Sequence, residues 1–97
     1  MTARLNIVAR IKPRAEHKDH ALAAICAIVE QTRAEPGCIE FKVNECRASG
    51  DIILYEEWRD EAAFNFHHGQ IYTRSVMEAY AQWLSEDPEI IRLNPVA

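Results

Sequence analysis

The chain has 97 residues, of which 48% are hydrophobic and 27% are charged, and its formal net charge at pH 7 is -4. This length suits one small domain, so we assign residues 1–97 to a single domain. The composition is that of a folded protein and excludes disordered and fibrous classes. Because the basic residues form no dense run, we expect no nucleic acid among its partners.

The longest apolar run, residues 21–29, is about half as long as a bilayer span requires. The N-terminus also lacks the pattern of a signal peptide. We therefore expect no membrane partner and a cytoplasmic location. Cys26, Cys38 and Cys46 show no C-x-x-C spacing, so the sequence predicts free thiols and no zinc site.

Alternating apolar and polar residues predict a first strand over residues 3–12, which Pro13 ends. Helical spacing then predicts a helix from about residue 16 to residue 35, closed by a turn at Pro36-Gly37. A second alternating run over residues 38–46 and a third predicted strand over residues 52–58 flank a polar break that contains Gly50. These two segments predict a β-hairpin.

Asp60 offers an N-cap for a second helical region, which Gly69 interrupts. Beyond Gly69 an apolar stripe has helical spacing: Tyr72, Val76, Tyr80 and Trp83. A last strand over residues 89–95 completes the order β-α-β-β-α-β, which predicts an α+β, ferredoxin-like fold. Both helices cover one face of such a sheet, and the bare second face favours a homodimer.

Three segments carry a resemblance to a known family: VARIKP, TRAEPGCIEF, and LYEEWRDEAAF followed by His67. Together they resemble the antibiotic biosynthesis monooxygenase (ABM) family over nearly the whole chain. The resemblance implies a dimeric α+β barrel. It does not fix the reaction, because members include cofactor-independent oxygenases of anthrones and other polycyclic phenols, quinol monooxygenases, haem-degrading enzymes and proteins that process a small signalling molecule.

The chain also departs from common patterns of that family. Tyr72 replaces the second His of many members. Leu54 and Phe64 stand where the anthrone-oxidising branch has Asn and Tyr, so that mechanism cannot be transferred. Haem-degrading relatives have Trp at the position of His67 and an iron-binding His at that of Met77, which disfavours ordinary ligation of haem here.

His67 is the main catalytic candidate on the strength of this resemblance. A free imidazole has a pKa of about 6.5, which suits it to remove a proton from a phenol or an enol at neutral pH. The alternative is a partly buried structural histidine. His68 points about 100° away on a helix, so we do not expect the two rings to converge on one small ligand.

Trp58, Tyr72 and Asn6 are further catalytic candidates, because each offers a hydrogen-bond donor to a developing anion or a bound oxygen species. Packing or solvent exposure is the alternative for each of them. The predicted substrate pocket consists of Leu54, Glu56, Phe64, Val76 and Arg10. Glu56 and Glu57 alternate along one strand, so they cannot form a carboxylate pair.

We therefore expect a homodimeric, cofactor-independent monooxygenase that oxidises a small electron-rich quinol, phenolic or polycyclic substrate with O₂. No nucleotide, flavin or metal motif is present, so no cofactor and no metal are predicted. The alternatives are a non-catalytic, ligand-binding or stress-associated dimeric barrel, non-oxidative processing of a small carbonyl signal, and haem binding. The sequence leaves open whether the pocket lies between sheet and helices or inside a dimer barrel.

Overall fold

The computed structural model describes residues 3–97. Its elements are β1 Leu5–Ile11, α1 Lys18–Ala27, α2 Val29–Arg33, β2 Cys38–Glu45, β3 Ile52–Trp58, α3 Glu61–Gly69, α4 Ile71–Trp83 and β4 Glu89–Leu93, with a 3₁₀ turn, Ala15–His17, before α1. The strands form one antiparallel sheet in the order β2-β3-β1-β4. This arrangement confirms the predicted α+β, ferredoxin-like fold.

Several elements differ from their predicted extents. β1 is shorter than the predicted residues 3–12, and β2 ends one residue before the predicted residue 46. The first helix is interrupted at Ile28, where the backbone has φ -103° and ψ 1° and the N–H bonds the carbonyls of Ile25 and Cys26. The last strand ends at Leu93, two residues early. Its pairing with β1 stops at Asn6, and Pro95 has no N–H with which to extend the ladder. The second helical region is broken as predicted, at Gln70, whose ψ of 144° lies outside the helical range.

The core lies between the helices and one face of the sheet. Alternate side chains of β1 and β3 point into it and are buried: Leu5, Ile7, Ala9, Ile11, Ile52, Leu54, Glu56 and Trp58. Each large apolar side chain buried here contributes about 1.5–3 kcal/mol. Within residues 3–97, no helix combines the length and the apolarity needed to cross a membrane.

The TRAEPG segment between α2 and β2 is held by specific contacts on both sides. Arg33 donates from Nε and Nη2 to the carbonyl of Phe41, at 3.0 and 2.9 Å. Gly37 lies so close to α3 that a Cβ added there would collide with the Cβ of Ala63. These contacts fix the turn against α3, so that Glu35 of the turn faces His67 of the helix.

Candidate functional site

An apolar cavity of about 40 Å³ lies between the inner face of the sheet and the helices. A water molecule needs roughly 10–15 Å³ of such space, so the cavity has room for about three molecules of that size. Its walls include Ala9, Ile11, Ile25, Ile28, Phe41, Leu54, Glu56, Phe64, His67, His68, Thr73, Val76 and Tyr80. Met77, Pro88 and Ile90 complete the lining, and Met77 and Ile90 are exposed, so this side is the mouth.

A buried carboxylate and imidazole meet at one wall of the cavity. α3 directs His67 inward, where the residue is 4% exposed, and its Nδ1 lies 2.8 Å from Oε2 of buried Glu35. A carboxylate only accepts hydrogen bonds, so this contact places the ring proton on Nδ1. Nε2 is then the basic nitrogen that His67 can present to the cavity.

Tyr72 makes a second hydrogen bond to the same carboxylate. Its hydroxyl donates to Oε2 of Glu35 at 2.5 Å, while Oε1 of Glu35 is buried and has no partner among residues 3–97. Burial, with the hydrogen bond to Glu35, raises the pKa of Tyr72 above its usual value. Tyr72 therefore stays protonated and orients Glu35, but it does not border the cavity.

Glu56 is a second buried carboxyl group at the cavity. Its Oε1 accepts a 2.9 Å hydrogen bond from Nε1 of Trp58, which is fully buried and whose ring centroid lies 4.9 Å from that of His67. Burial raises the pKa of Glu56 to about 7, against the opposing effect of the Trp58 hydrogen bond, and the charge of Glu35 adds to the rise. The indole N–H of Trp58 is therefore used within the protein, and Trp58 does not line the cavity.

The structure brings only part of the predicted site together. Of the predicted site residues, five border the cavity: His67, Leu54, Glu56, Phe64 and Val76. Asn6 and Arg10 lie elsewhere, because even-numbered positions of β1 point to the other face of the sheet. There Asn6 Nδ2 donates to the Tyr55 hydroxyl at 3.4 Å, and Arg10 pairs with Asp51 at 3.2 Å.

His68 also borders the cavity, contrary to expectation. The ring centroids of His67 and His68 are 5.3 Å apart and their planes are nearly perpendicular, so the two reach the same space from different directions. Burial, then the neighbouring His67 and Arg92, lowers the pKa of His68. Within the described part of the chain, no three His, Cys, Asp or Glu side chains are grouped to hold a metal.

Sequence reasoning missed two residues of this site. Glu35 lies in the TRAEPGC motif, and its sequence signal is an acidic residue at the end of a helix, next to Pro-Gly. Tyr80 belongs to the apolar stripe of the second helical region, a pattern that predicts packing and no role in the site. Its buried ring borders the cavity, and burial raises the pKa of its hydroxyl.

Comparison with known proteins places this geometry in a family. Residues 4–83 match the family model described as antibiotic biosynthesis monooxygenase. The chain is 26% identical over 96 residues to "Putative monooxygenase Rv0793" of Mycobacterium tuberculosis, covering 99% of this chain and 95% of that protein. The solved structure of Rv0793 has a TM-score of 0.94 at 24% identity and covers 98% of this chain and 97% of that one.

A second solved structure, PA3566 from Pseudomonas aeruginosa, has a TM-score of 0.91 at 26% identity and covers 100% of this chain and 98% of that one. "Putative monooxygenase YcnE" of Bacillus subtilis is 26% identical over 85 residues, covering 87% of this chain and 90% of that protein. Since the family model matches most of the chain, the protein belongs to the antibiotic biosynthesis monooxygenase family.

Proposed function

We propose that this protein is a monooxygenase that oxidises a small electron-rich quinol or phenol with O₂ and needs neither a metal nor a flavin. The observation that carries the proposal is the pairing of His67 with Glu35 at the wall of an apolar cavity. This pairing leaves Nε2 of His67 as a general base in a space that excludes bulk water.

The chemistry requires little beyond a base. Nε2 of His67 takes the phenolic proton, and the resulting anion passes one electron to O₂. The phenoxyl radical and superoxide combine at a ring carbon to give a peroxide. Breaking the O–O bond with loss of the ring proton then yields a quinone and water, so the four electrons taken up by O₂ come from the substrate.

The remaining walls of the cavity suit an aromatic anion. Phe64, Val76 and Leu54 supply apolar surface, and the protonated Tyr80 hydroxyl supplies a hydrogen-bond donor for a phenolate or peroxide oxygen. An aromatic ring is larger than the present cavity, so the exposed side chains of Met77 and Ile90 must move for a substrate to enter. Met has three rotatable side-chain bonds, which makes such movement inexpensive.

Oxygen-electrode measurements test the proposal. Purified, metal-free protein is assayed against a panel of hydroquinones and anthrones, with a protein-free blank for autoxidation. We expect uptake above the blank that falls by about 10²- to 10⁴-fold in His67→Ala and is kept in His20→Ala, a surface control. Absence of uptake on every substrate contradicts the proposal, and product formation under nitrogen would instead support non-oxidative processing.

We also propose that the protein acts as a homodimer through the second face of the sheet. Residues opposite one another in antiparallel strands share a face, so the register places Val8, Ile91 and Tyr55 together at its centre. Charges of both signs surround this apolar centre, in the pairs Arg4–Glu57 and Arg10–Asp51. A two-fold axis can therefore oppose each charge with its complement on a second copy.

Sedimentation equilibrium tests the dimer. We expect wild-type protein to sediment as a dimer at micromolar concentration and Ile91→Asp to sediment as a monomer. Ile71→Asp is the control, since Ile71 is an exposed apolar residue at the start of α4, on the helix side of the sheet. A monomeric wild type contradicts this proposal.

A further inference from the structure

Glu56 is a buried acid that the base chemistry proposed above does not use. It projects from β3 into the core, is 4% exposed and borders the same cavity as His67. Its partners directly across the strands are Ile7 and Phe41, both buried and apolar. Only Oε1 is engaged within the described residues, by the Trp58 indole N–H, and no lysine or arginine borders the cavity.

The proposed oxidation includes two further proton transfers after the first one to His67. Once His67 has taken the phenolic proton, the peroxide at the ring carbon still carries a negative charge on its outer oxygen. That oxygen must gain a proton before the O–O bond breaks, and the ring carbon must lose its hydrogen as the bond breaks. Glu56 borders the same cavity as His67, so it can perform these two transfers while His67 keeps the phenolic proton for the leaving oxygen.

We propose that Glu56 performs them, an inference that rests on the proposed oxygenase function. The Glu56 carboxyl donates its proton to the outer peroxide oxygen and then, as a carboxylate, removes the hydrogen of the ring carbon. The C–H electron pair forms the new C=O bond, and the O–O electron pair leaves with the outer oxygen. That oxygen takes the proton held by His67 and departs as water, which returns both residues to their starting states.

The ionisation of Glu56 supports this role. Burial raises the pKa of Glu56 to about 7, so both its acid and its base form are accessible near neutral pH. The other titratable groups that face it are His67 and His68 from α3, Tyr80 from α4 and Glu35 from the turn after α2. The pKa of His68 is lowered and that of Tyr80 is raised, so the pKa of Glu56 lies closer to neutral pH than either of them.

The ratio of quinone formed to O₂ consumed tests the inference, with hydrogen peroxide measured alongside. In Glu56→Gln the amide oxygen still accepts from Trp58 and proton transfer is lost. We expect the oxygenated quinone, which carries one atom of O₂, to fall about 10²-fold per O₂ consumed. The missing oxygen should appear as hydrogen peroxide, with the substrate oxidised by two electrons and carrying no atom of O₂. Glu56→Asp should recover part of the ratio. The control Glu78→Gln is exposed on α4 and should keep the wild-type ratio.

The possible outcomes separate the two proposals. A structural role for Glu56 would lower O₂ uptake and quinone together and leave their ratio unchanged, which overturns the inference. An equal loss of the ratio in Glu78→Gln also overturns it. If circular dichroism shows that Glu56→Gln does not fold, the test uses Glu56→Asp. A ratio of quinone to O₂ in Glu56→Asp that equals the wild-type ratio at all pH values then overturns the inference. Wild-type protein that consumes no O₂ refutes the oxygenase function itself and, with it, this role.

Discussion

Glu35 and His67 are 32 residues apart in sequence, yet their side chains form a 2.8 Å hydrogen bond in which both are about 95% buried. The Pro-Gly turn carries one partner and α3 carries the other, and the close approach of Gly37 to Ala63 holds these two segments together. The candidate base is therefore oriented by a contact between elements rather than by its own helix.

Removing the carboxylate of Glu35 should disorder His67 and lower turnover. We expect Glu35→Ala to reduce kcat by about 10²-fold, because His67 loses the acceptor that keeps its proton on Nδ1. Glu35→Gln should reduce kcat by a smaller factor, since its amide oxygen can still accept the hydrogen bond from Nδ1 of His67. The tautomer of His67 is read by ¹⁵N NMR beside the kinetics, with Glu30→Gln on the exposed face of α2 as control. Unchanged kcat and tautomer in Glu35→Ala would refute the role of Glu35.

The raised pKa of Glu56 predicts a stability that falls as pH rises. Between a pKa of about 4.5 in the unfolded chain and about 7 in the folded protein, the folded state keeps a proton that the unfolded state has lost. The free energy of unfolding should therefore decrease by roughly 3 kcal/mol from pH 4.5 to pH 7, relative to Glu56→Gln. Urea denaturation across this range measures the difference, and parallel curves for both proteins would contradict it.

Alternation in the sequence determines much of this fold. β3 begins and ends at the predicted residues 52–58, and its side chains alternate between buried and partly exposed, with Leu54, Glu56 and Trp58 on the buried face. The apolar face of β1 likewise packs under the helices, because burying Ile7 and Ile11 stabilises this orientation of the strand. Asn6 and Arg10 are carried to the other face for the same reason.

The partners of the site are harder to predict from the sequence. Local periodicity contains no information on which turn approaches which helix, so the contact of Glu35 with His67 follows only from the tertiary packing. Trp58 shows the same limit: alternation along β3 places it on the same face as Glu56, but the hydrogen bond between its N–H and Glu56 depends on side-chain conformation. The residue types therefore indicate candidate site residues, but which side chains contact one another depends on the tertiary structure.

Gly37 should be intolerant of any side chain. A Cβ at this position would collide with Ala63 of α3, so we expect Gly37→Ala to destabilise the protein by about 1–3 kcal/mol. Gly69→Ala is the matched control, because nothing lies within 4 Å of a Cβ there, and should be neutral or slightly stabilising. Adding Ala63→Gly to Gly37→Ala should restore part of the loss in a denaturation cycle, and purely additive effects would refute the proposed clash.

The cysteines should differ in reactivity because their surroundings act on the thiol in opposite directions. Burial, with the charges of Glu35 and Glu56, raises the pKa of Cys38 to about 11. The side chain of Ser49, with backbone N–H groups of the same turn, lowers the pKa of Cys46. The thiolate is the reactive form, so iodoacetamide at neutral pH should modify Cys46 at least about tenfold faster than Cys38.

Peptide mass spectrometry over a time course measures both rates within the same sample. Ser49→Ala should slow the modification of Cys46, since the thiolate loses its side-chain hydrogen bond, and should leave the rate at Cys38 unchanged. The third thiol, Cys26, is exposed on α1 and serves as an internal reference for reagent access. Equal rates at Cys46 and Cys38, or a Cys46 rate that Ser49→Ala does not alter, would contradict the assignment of these two environments.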